Sequence, residues 1–288
     1  MAMILVTGAT GQLGSATIEY LLQKTNPQNI VAFVRDAQKA NHLASKGVTL
    51  CIGNYNDPGS VSQAMQGIDI LLLISGLEPN RLQQHQQVID AAVQAGVQHV
   101  LYTGVAMTDT AASAIRKMMD DHTNTEAYIL AKGISYTFLR NSLYADGLPG
   151  FTGEKAPTTG IHFPAGDGKV PYVWKKDLAE ATAHILTSAG HENKIYKLTG
   201  GPSYSFHDIA AMFTAITGTP TIYSNPSASQ YAETLQQYNV PAMFIKILGG
   251  FAEDIKNNLY DIPSNDLEQL LGRPPLALAN AIKEIYKL

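Results

Sequence analysis

Thr7-Gly8-Ala9-Thr10-Gly11-Gln12-Leu13-Gly14 follows directly on the apolar run Met3-Ile4-Leu5-Val6. Glycines at this spacing, between a strand and a helix, each have a task. Gly8 allows a sharp turn out of the strand. Gly11 lacks the Cβ that would hold an anion away from the backbone. Gly14 lets the helix pack close to the sheet. The helix, read over Gln12 to Lys24, offers unpaired N–H groups and the positive end of its dipole. That chemistry suits a pyrophosphate. The expectation is a dinucleotide site, with an ordinary strand–turn–helix as the alternative.

A second strand, Ile30 to Val34, ends at Arg35. In a dinucleotide fold this position lies beside the adenosine ribose. A carboxylate there bonds a free 2′-hydroxyl, whereas an arginine offers a planar cation to a 2′-phosphate. Arg35 therefore points to NADP(H). Asp36 is read as the cap of the next helix, near Gln38 to Lys46.

Tyr128-Ile-Leu-Ala-Lys132 has the Y-x-x-x-K spacing in which a lysine lowers a tyrosine pKa for proton exchange with an alcohol or carbonyl. Its position is wrong for that work, because the strand beginning at Tyr136 follows almost at once. Lys132 is better read as favouring the helix dipole. Without such a dyad, alcohol oxidation and sugar epimerisation lack their proton-transfer group. Hydride delivery to a quinone or cationic dye is less demanding, since it needs only an acceptor held face to face with a nicotinamide. No paired cysteine motif, H-x-x-x-H spacing or G-x-S-x-G elbow occurs.

The elements that must position these groups alternate. Strands are read at Val48 to Ile52, Asp69 to Ile74, His99 to Thr103 and Tyr136 to Leu139. Asp57-Pro58 opens one helix and Gly67 ends it. Another runs from Arg81 to Ala95, with Gln83, Gln84, Gln86, Gln87 and Gln94 read as mostly solvated and His85 as polar surface. This is the pattern of a Rossmann-type, doubly wound parallel α/β sheet. Ser75-Gly76-Leu77 and Thr103-Gly104 follow carboxyl ends of strands, where open α/β sheets bind ligands.

After Tyr144 the rhythm changes. Gly147 to Pro171 is rich in glycine and proline. Tyr172 to Trp174 and Thr221 to Tyr223 are read as short strands, Ile195 to Leu198 as a longer one. Asp177 is read as capping a helix to about Ser188, Ser205 to Asp208 as a capping box, and Leu276 to Tyr286 as an amphipathic last helix. The expected division is a nucleotide-binding domain over 1–146 and a smaller α+β, substrate-facing lobe over 147–288. Elements near 177–199 are expected to return to the main sheet.

Composition narrows the function. Of 288 residues, 45% are hydrophobic and 15% charged, which suits a globular core rather than a disordered chain. A formal net charge of −4 with no basic stripe argues against nucleic-acid binding. Cys51 is the single cysteine and reads as a small buried apolar residue. The first strand begins at once and the apolar runs are short, so the expectation is a cytoplasmic protein with no signal peptide and no membrane span.

Val6 to Gly14, Val34-Arg35, Leu72 to Gly76, Tyr102-Thr103-Gly104, Thr125-Glu126 and Tyr136 to Asn141 together resemble the NmrA-like atypical short-chain dehydrogenase/reductase family. Ala189 to Lys194 and Leu271-Gly272-Arg273 extend the resemblance through the second half. The likeness is greatest to its NAD(P)H-dependent reductases of quinones and of triphenylmethane dyes. The resemblance implies NADPH bound by Gly8, Ala9, Thr10, Gly11, Gln12 and Leu13, with Arg35 at the 2′-phosphate. It implies further contacts from Ser75, Gly76 and Leu77, and from Asn141, Ser142, Leu143, Tyr144, Ala145 and Asp146. The family lacks the tyrosine–lysine dyad. His85 and His122 match family histidines of unassigned role. Tyr144, Met107 and Trp174 are candidates for an apolar wall stacking a planar acceptor, with core packing as the alternative for each.

Two functions follow from this resemblance. One is an NADPH-dependent reductase of a quinone-like small molecule, monomeric or homodimeric. The other is an NADP(H)-binding sensor that acts through a protein partner.

Overall fold

The computed structural model describes residues 2–288. The first half alternates β1 (Ile4–Val6), α1 (Gln12–Leu21), β2 (Ile30–Val34), α2 (Asn41–Ala44), β3 (Thr49–Ile52), α3 (Pro58–Ala64), β4 (Ile70–Leu73), α4 (Arg81–Ala95), β5 (His99–Val105), α5 (Arg116–Ala131) and β6 (Ser135–Asn141). Then come α6 (Leu148–Thr152), α7 (Ala156–Thr159), β7 (Ile161–His162), α8 (Lys175–Thr187), β8 (Lys194–Leu198), α9 (Phe206–Thr217) and β9 (Tyr223–Ser224). The chain closes with α10 (Ala228–Gln237), α11 (Ala242–Lys256), α12 (Asp266–Leu271) and α13 (Leu278–Tyr286).

Seven strands form one parallel sheet in the order β3-β2-β1-β4-β5-β6-β8. The direction of winding reverses between β1 and β4, so a crevice opens at the carboxyl ends of those strands. The central strands are continuously apolar because both sheet faces are covered. Ile4, Val6, Ala32, Leu72 and Leu139 face α1 and α8. Leu5, Phe33, Leu71, Val100 and Phe138 face the other way, onto α3, α4 and α5. The period of two along each strand makes this division. β8 comes from the second half and pairs with β6, while α8 packs on α1. A second core gathers Phe163, Phe206, Phe213, Tyr260 and Ile282 around the small β7–β9 sheet.

Several expectations are corrected. β5 and β6 each run two residues further, since pairing continues through Gly104 with Arg140 and Val105 with Asn141. Val173 makes only a single bridge to Tyr144, and Trp174 is already the N-cap of α8. Asp177 therefore lies inside that helix, where its carboxylate accepts from Arg273 at 2.8 Å and the Leu276 N–H at 2.6 Å. The late short strand is Tyr223–Ser224. The capping box at Ser205 and Asp208 is present. Asp36 is not the cap of the next helix: Ala37 holds the N-cap position before Gln38–Ala40, and the Asp36 carboxylate instead closes a turn by accepting the Gln38 N–H at 2.8 Å.

Candidate active site

The glycine turn is the first wall of the crevice. Gly8 has φ +59°, where other residues are strained, and its carbonyl accepts the Gly11 N–H at 2.9 Å. A Cβ on Gly14 would collide with the Gly8 carbonyl oxygen, so the missing side chain is what lets α1 start so close to β1. Gly11 is the N-cap and brings no side-chain acceptor to the first turn of α1. Thr10, Gly11 and Gln12 are exposed, while Ala9 and Leu13 are buried beneath them. An uncapped helix N-terminus open to solvent is an anion site.

Arg35 stands at the end of β2 with its side chain 81% exposed and only a long 3.7 Å contact to Glu78. Ser75 donates its N–H to Thr103 Oγ1 at 2.9 Å, tying β4 to β5 at the crevice. Leu77 is 83% exposed, an apolar side chain with nothing over it.

At the end of β6 the Asn141 Oδ1 and Ser142 Oγ atoms are buried without a hydrogen-bond partner. Such orphans are costly unless a ligand completes them. Asn141 Nδ2 donates to the Tyr144 hydroxyl at 3.2 Å. Tyr144 is half-buried, and desolvation raises its pKa. Leu143 packs into the second core, and the Ala145 N–H bonds the Val173 carbonyl at 2.8 Å. Asp146 accepts the Lys175 backbone N–H at 3.0 Å.

Lys175 had no sequence signal of its own. Its Nζ donates to Gln12 Oε1 and stands 5.0 Å from the centre of the Tyr144 ring. Burial depresses its pKa, partly offset by Asp146. A lysine two residues before a helical aspartate looks like any solvated start of a helix, and only the fold brings it to the glycine turn.

Beside this edge lies a cleft of about 240 Å³. Val105, Met107, Thr108, Asp109 and Thr110 line one side, and His122, Thr123, Glu126 and Arg140 the other. Arg140 and Glu126 form a forked ion pair, Nε to Oε1 at 3.0 Å and Nη2 to Oε2 at 2.6 Å. Of the apolar-wall candidates, Met107 lines this cleft. Trp174 instead lies in the second core, under the Lys176 ammonium.

Behind the cleft runs a buried polar chain. Arg81, 2% exposed, donates to the Gly76 carbonyl at 3.1 Å and to the Met118 carbonyl, and makes a long 3.5 Å contact to His122 Nε2. The guanidinium can only donate, so His122 Nδ1–H faces the Tyr102 hydroxyl at 2.9 Å. Thr125 gives its proton to the Asp121 carbonyl at 2.7 Å, so His85 Nδ1–H donates to Thr125 at 2.9 Å. His85 is 1% exposed, not surface: α5 covers the flank of α4 that carries it. Desolvation and Arg81 lower its pKa to about 3, and hold His122 well below the ordinary range. Both rings are neutral.

Tyr128 and Lys132 stand elsewhere, at the end of α5. The tyrosine hydroxyl donates to Asp90 at 2.9 Å, and Lys132 pairs with the same carboxylate at 2.6 Å.

The winding order, the crevice and the glycine turn define a Rossmann-type α/β protein. Within that class, residues 1–262 match the model of the NmrA-like family, and the chain belongs to this family. Quinone oxidoreductase 2 of Escherichia coli is 35% identical, covering 99% of each chain. The structure of Citrobacter sp. triphenylmethane reductase complexed with NADP(H) superposes with a TM-score of 0.89 at 34% identity, covering 98% of this chain and 99% of that one. The NADPH-dependent quinone oxidoreductase of Escherichia coli complexed with NADPH gives 0.90 at 33% identity, over 99% of this chain and 100% of that one. No helix among the described residues is long and apolar enough to cross a membrane.

Proposed function

We propose that this chain is an NADPH-dependent oxidoreductase that transfers hydride to a small quinone-like acceptor. The observation that carries this reading is one continuous edge. The glycine turn, Arg35, Ser75 and the orphaned Asn141 and Ser142 atoms all stand at carboxyl ends of strands, and an open cleft adjoins the last of them. Relatives that reduce quinones and dyes support it.

NADPH supplies the hydride. The chain's part is to hold and orient. The N-terminus of α1 receives the pyrophosphate and Arg35 the 2′-phosphate. Ser75 to Leu77 cover the cofactor from the β4 side, and Asn141 to Asp146 from the β6 side. Asn141 Oδ1 and Ser142 Oγ are free to bond the nicotinamide half, and Lys175 adds a cation between Gln12 and Tyr144. The cleft at Met107 takes the acceptor. Tyr128, engaged by Asp90, takes no part.

A crystal grown with NADP⁺ and soaked with a small benzoquinone tests this assignment. The ring is expected in the cleft between Met107 and Arg140; a ring bound elsewhere overturns it.

A sensor reading draws on one feature, the exposed Tyr238, Met243 and Phe244 at the α10–α11 junction. The open cleft favours the enzyme, because a sensor needs no acceptor pocket.

A further inference from the structure

We propose that Asp254, on α11 in the second half of the chain, is a positioning residue for the acceptor cleft: it fixes the loop between β5 and α5 and so sets where the acceptor lies against the nicotinamide. This rests on the assignment of the cleft as the acceptor site.

Met107, Thr108, Asp109 and Thr110, which form one wall of the cleft, belong to that loop. Its internal bonds are few. The Ala111 N–H bonds Asp109 Oδ1 at 2.8 Å, and the Ser113 N–H bonds the Thr110 carbonyl at 3.3 Å. Among the described residues, three partners outside the loop hold it by hydrogen bonds. The Ala106 N–H bonds the Asn141 carbonyl at 2.8 Å, where the loop leaves the sheet. The Thr108 N–H bonds the Leu259 carbonyl at 2.9 Å. At the far end Ser113 Oγ donates to Asp254 Oδ2 at 2.6 Å, and the Ala114 N–H donates to Asp254 Oδ1 at 2.7 Å.

Asp254 governs two of these three attachments. Besides its carboxylate bonds, its backbone carbonyl accepts the Leu259 N–H at 3.0 Å, which places Leu259 for Thr108. The same helix also sets the opposite wall. A Cβ on Gly250 would collide with Ile115 Cγ2, so the α11 backbone packs directly on the residue that caps α5. α5 carries His122, Thr123 and Glu126 across the cleft. The spacing of the two walls therefore depends on how α11 grips the loop.

The grip is built on a buried charge. Asp254 is fully buried, and no cation pairs with it among the described residues. Such a carboxylate is costly unless it is hydrogen-bonded, and both of its side-chain donors come from the loop. Burial raises its pKa, and the bonds from Ser113 and Ala114 draw it back down. Opening the loop would strand the charge, so the carboxylate keeps the loop closed on α11. Hydride transfer needs this precision, because a misplacement of about 1 Å can cost about a hundredfold in rate.

The test uses Asp254→Asn and the milder Ser113→Ala, which keeps the Ala114 bond. Four quantities are read: turnover with a small benzoquinone, NADPH Kd by fluorescence, Tm, and amide hydrogen exchange over residues 106–115. Asp254→Asn is expected to raise the quinone KM and to lower kcat/KM by about tenfold or more. NADPH Kd should stay within about twofold of wild type. Exchange should quicken over residues 106–115 and not at the glycine turn. Ser113→Ala should shift the same quantities in the same direction by less, and the double variant should lose little more than Asp254→Asn alone, because both break one tie. A role in folding alone would lower Tm and the active fraction while leaving the quinone KM unchanged, and that result overturns the proposal. If Asp254→Asn does not fold, Ser113→Ala decides by the same criterion. A wild-type chain whose NADPH oxidation no quinone accelerates removes the reductase reading, and this proposal with it, whatever the exchange experiment shows of the tie itself.

Discussion

The ammonium of Lys175 bonds the side-chain amide of Gln12 across 163 residues of sequence. It joins the first residue of α8 to the first residue of α1. Its other neighbour is the neutral ring of Tyr144, and no carboxylate pairs with it among the described residues. Asp146 offsets only part of the cost of burying this cation, and an anion would complete it. Lys175→Met should weaken NADPH binding by about tenfold. Binding of adenosine 2′,5′-bisphosphate, which lacks the nicotinamide half, should stay unchanged. Fluorescence titration of both ligands decides this, and equal losses would place Lys175 at the adenosine end.

Arg35→Ala should remove the preference for NADPH over NADH, because an exposed guanidinium at the end of β2 has the 2′-phosphate as its natural partner. The ratio of the two Kd values is the readout. A preference that survives the substitution would assign the phosphate to another cation.

Gly14→Ala should be severe for so small a change. The new methyl meets the Gly8 carbonyl, so α1 must shift away from β1. A stability loss of about 1–3 kcal/mol and a large rise in the NADPH Kd are expected. Urea unfolding and ligand titration measure the two. Wild-type values for both would show that the turn is looser than its geometry.

Acid should destabilise the fold through its buried histidines. His85 is held neutral down to about pH 3, against an ordinary value of 6.5. His122 is likewise lowered well below its ordinary range by burial and by Arg81. Below pH 6.5 the unfolded chain takes up protons that the fold refuses, so stability falls as pH falls. The slope is up to about 1.4 kcal/mol per pH unit for each ring. Urea unfolding at pH 7.5 and 5.0 should show this loss, and His85→Asn should reduce it by about 2 kcal/mol. An unchanged loss in the variant would mean that His85 is charged in the fold.

Tyr128→Phe should leave turnover unchanged, since the hydroxyl is spent on Asp90 at the far end of α5. A large fall in kcat would return a tyrosine–lysine dyad to consideration.

The glycine turn and the apolar strands were legible because their causes are local. β2 spans the residues its β-branched run marks, and α4 ends at Gly96 in the left-handed conformation as its pattern implies. What was not legible depends on partners far away in sequence. His85 sits among glutamines on what reads as a wet face, yet Thr125, 40 residues on, buries and bonds it. Asp177 has the type and place of a cap, but Arg273, 96 residues away, claims its carboxylate and α8 starts earlier. β6 ran past Leu139 because β8, from the second half, pairs with Arg140 and Asn141 and supports them as strand. Lys175 needed the docking of α8 on α1 before it met Gln12.

NADPH oxidation followed by absorbance, with and without a small benzoquinone, tests the central claim most directly. A blank without protein and a parallel series with NADH complete it. The account predicts oxidation that depends on the quinone and runs faster with NADPH than with NADH. NADPH that binds tightly, yet is oxidised no faster when any quinone or dye is added, would contradict it and turn the search toward a protein partner.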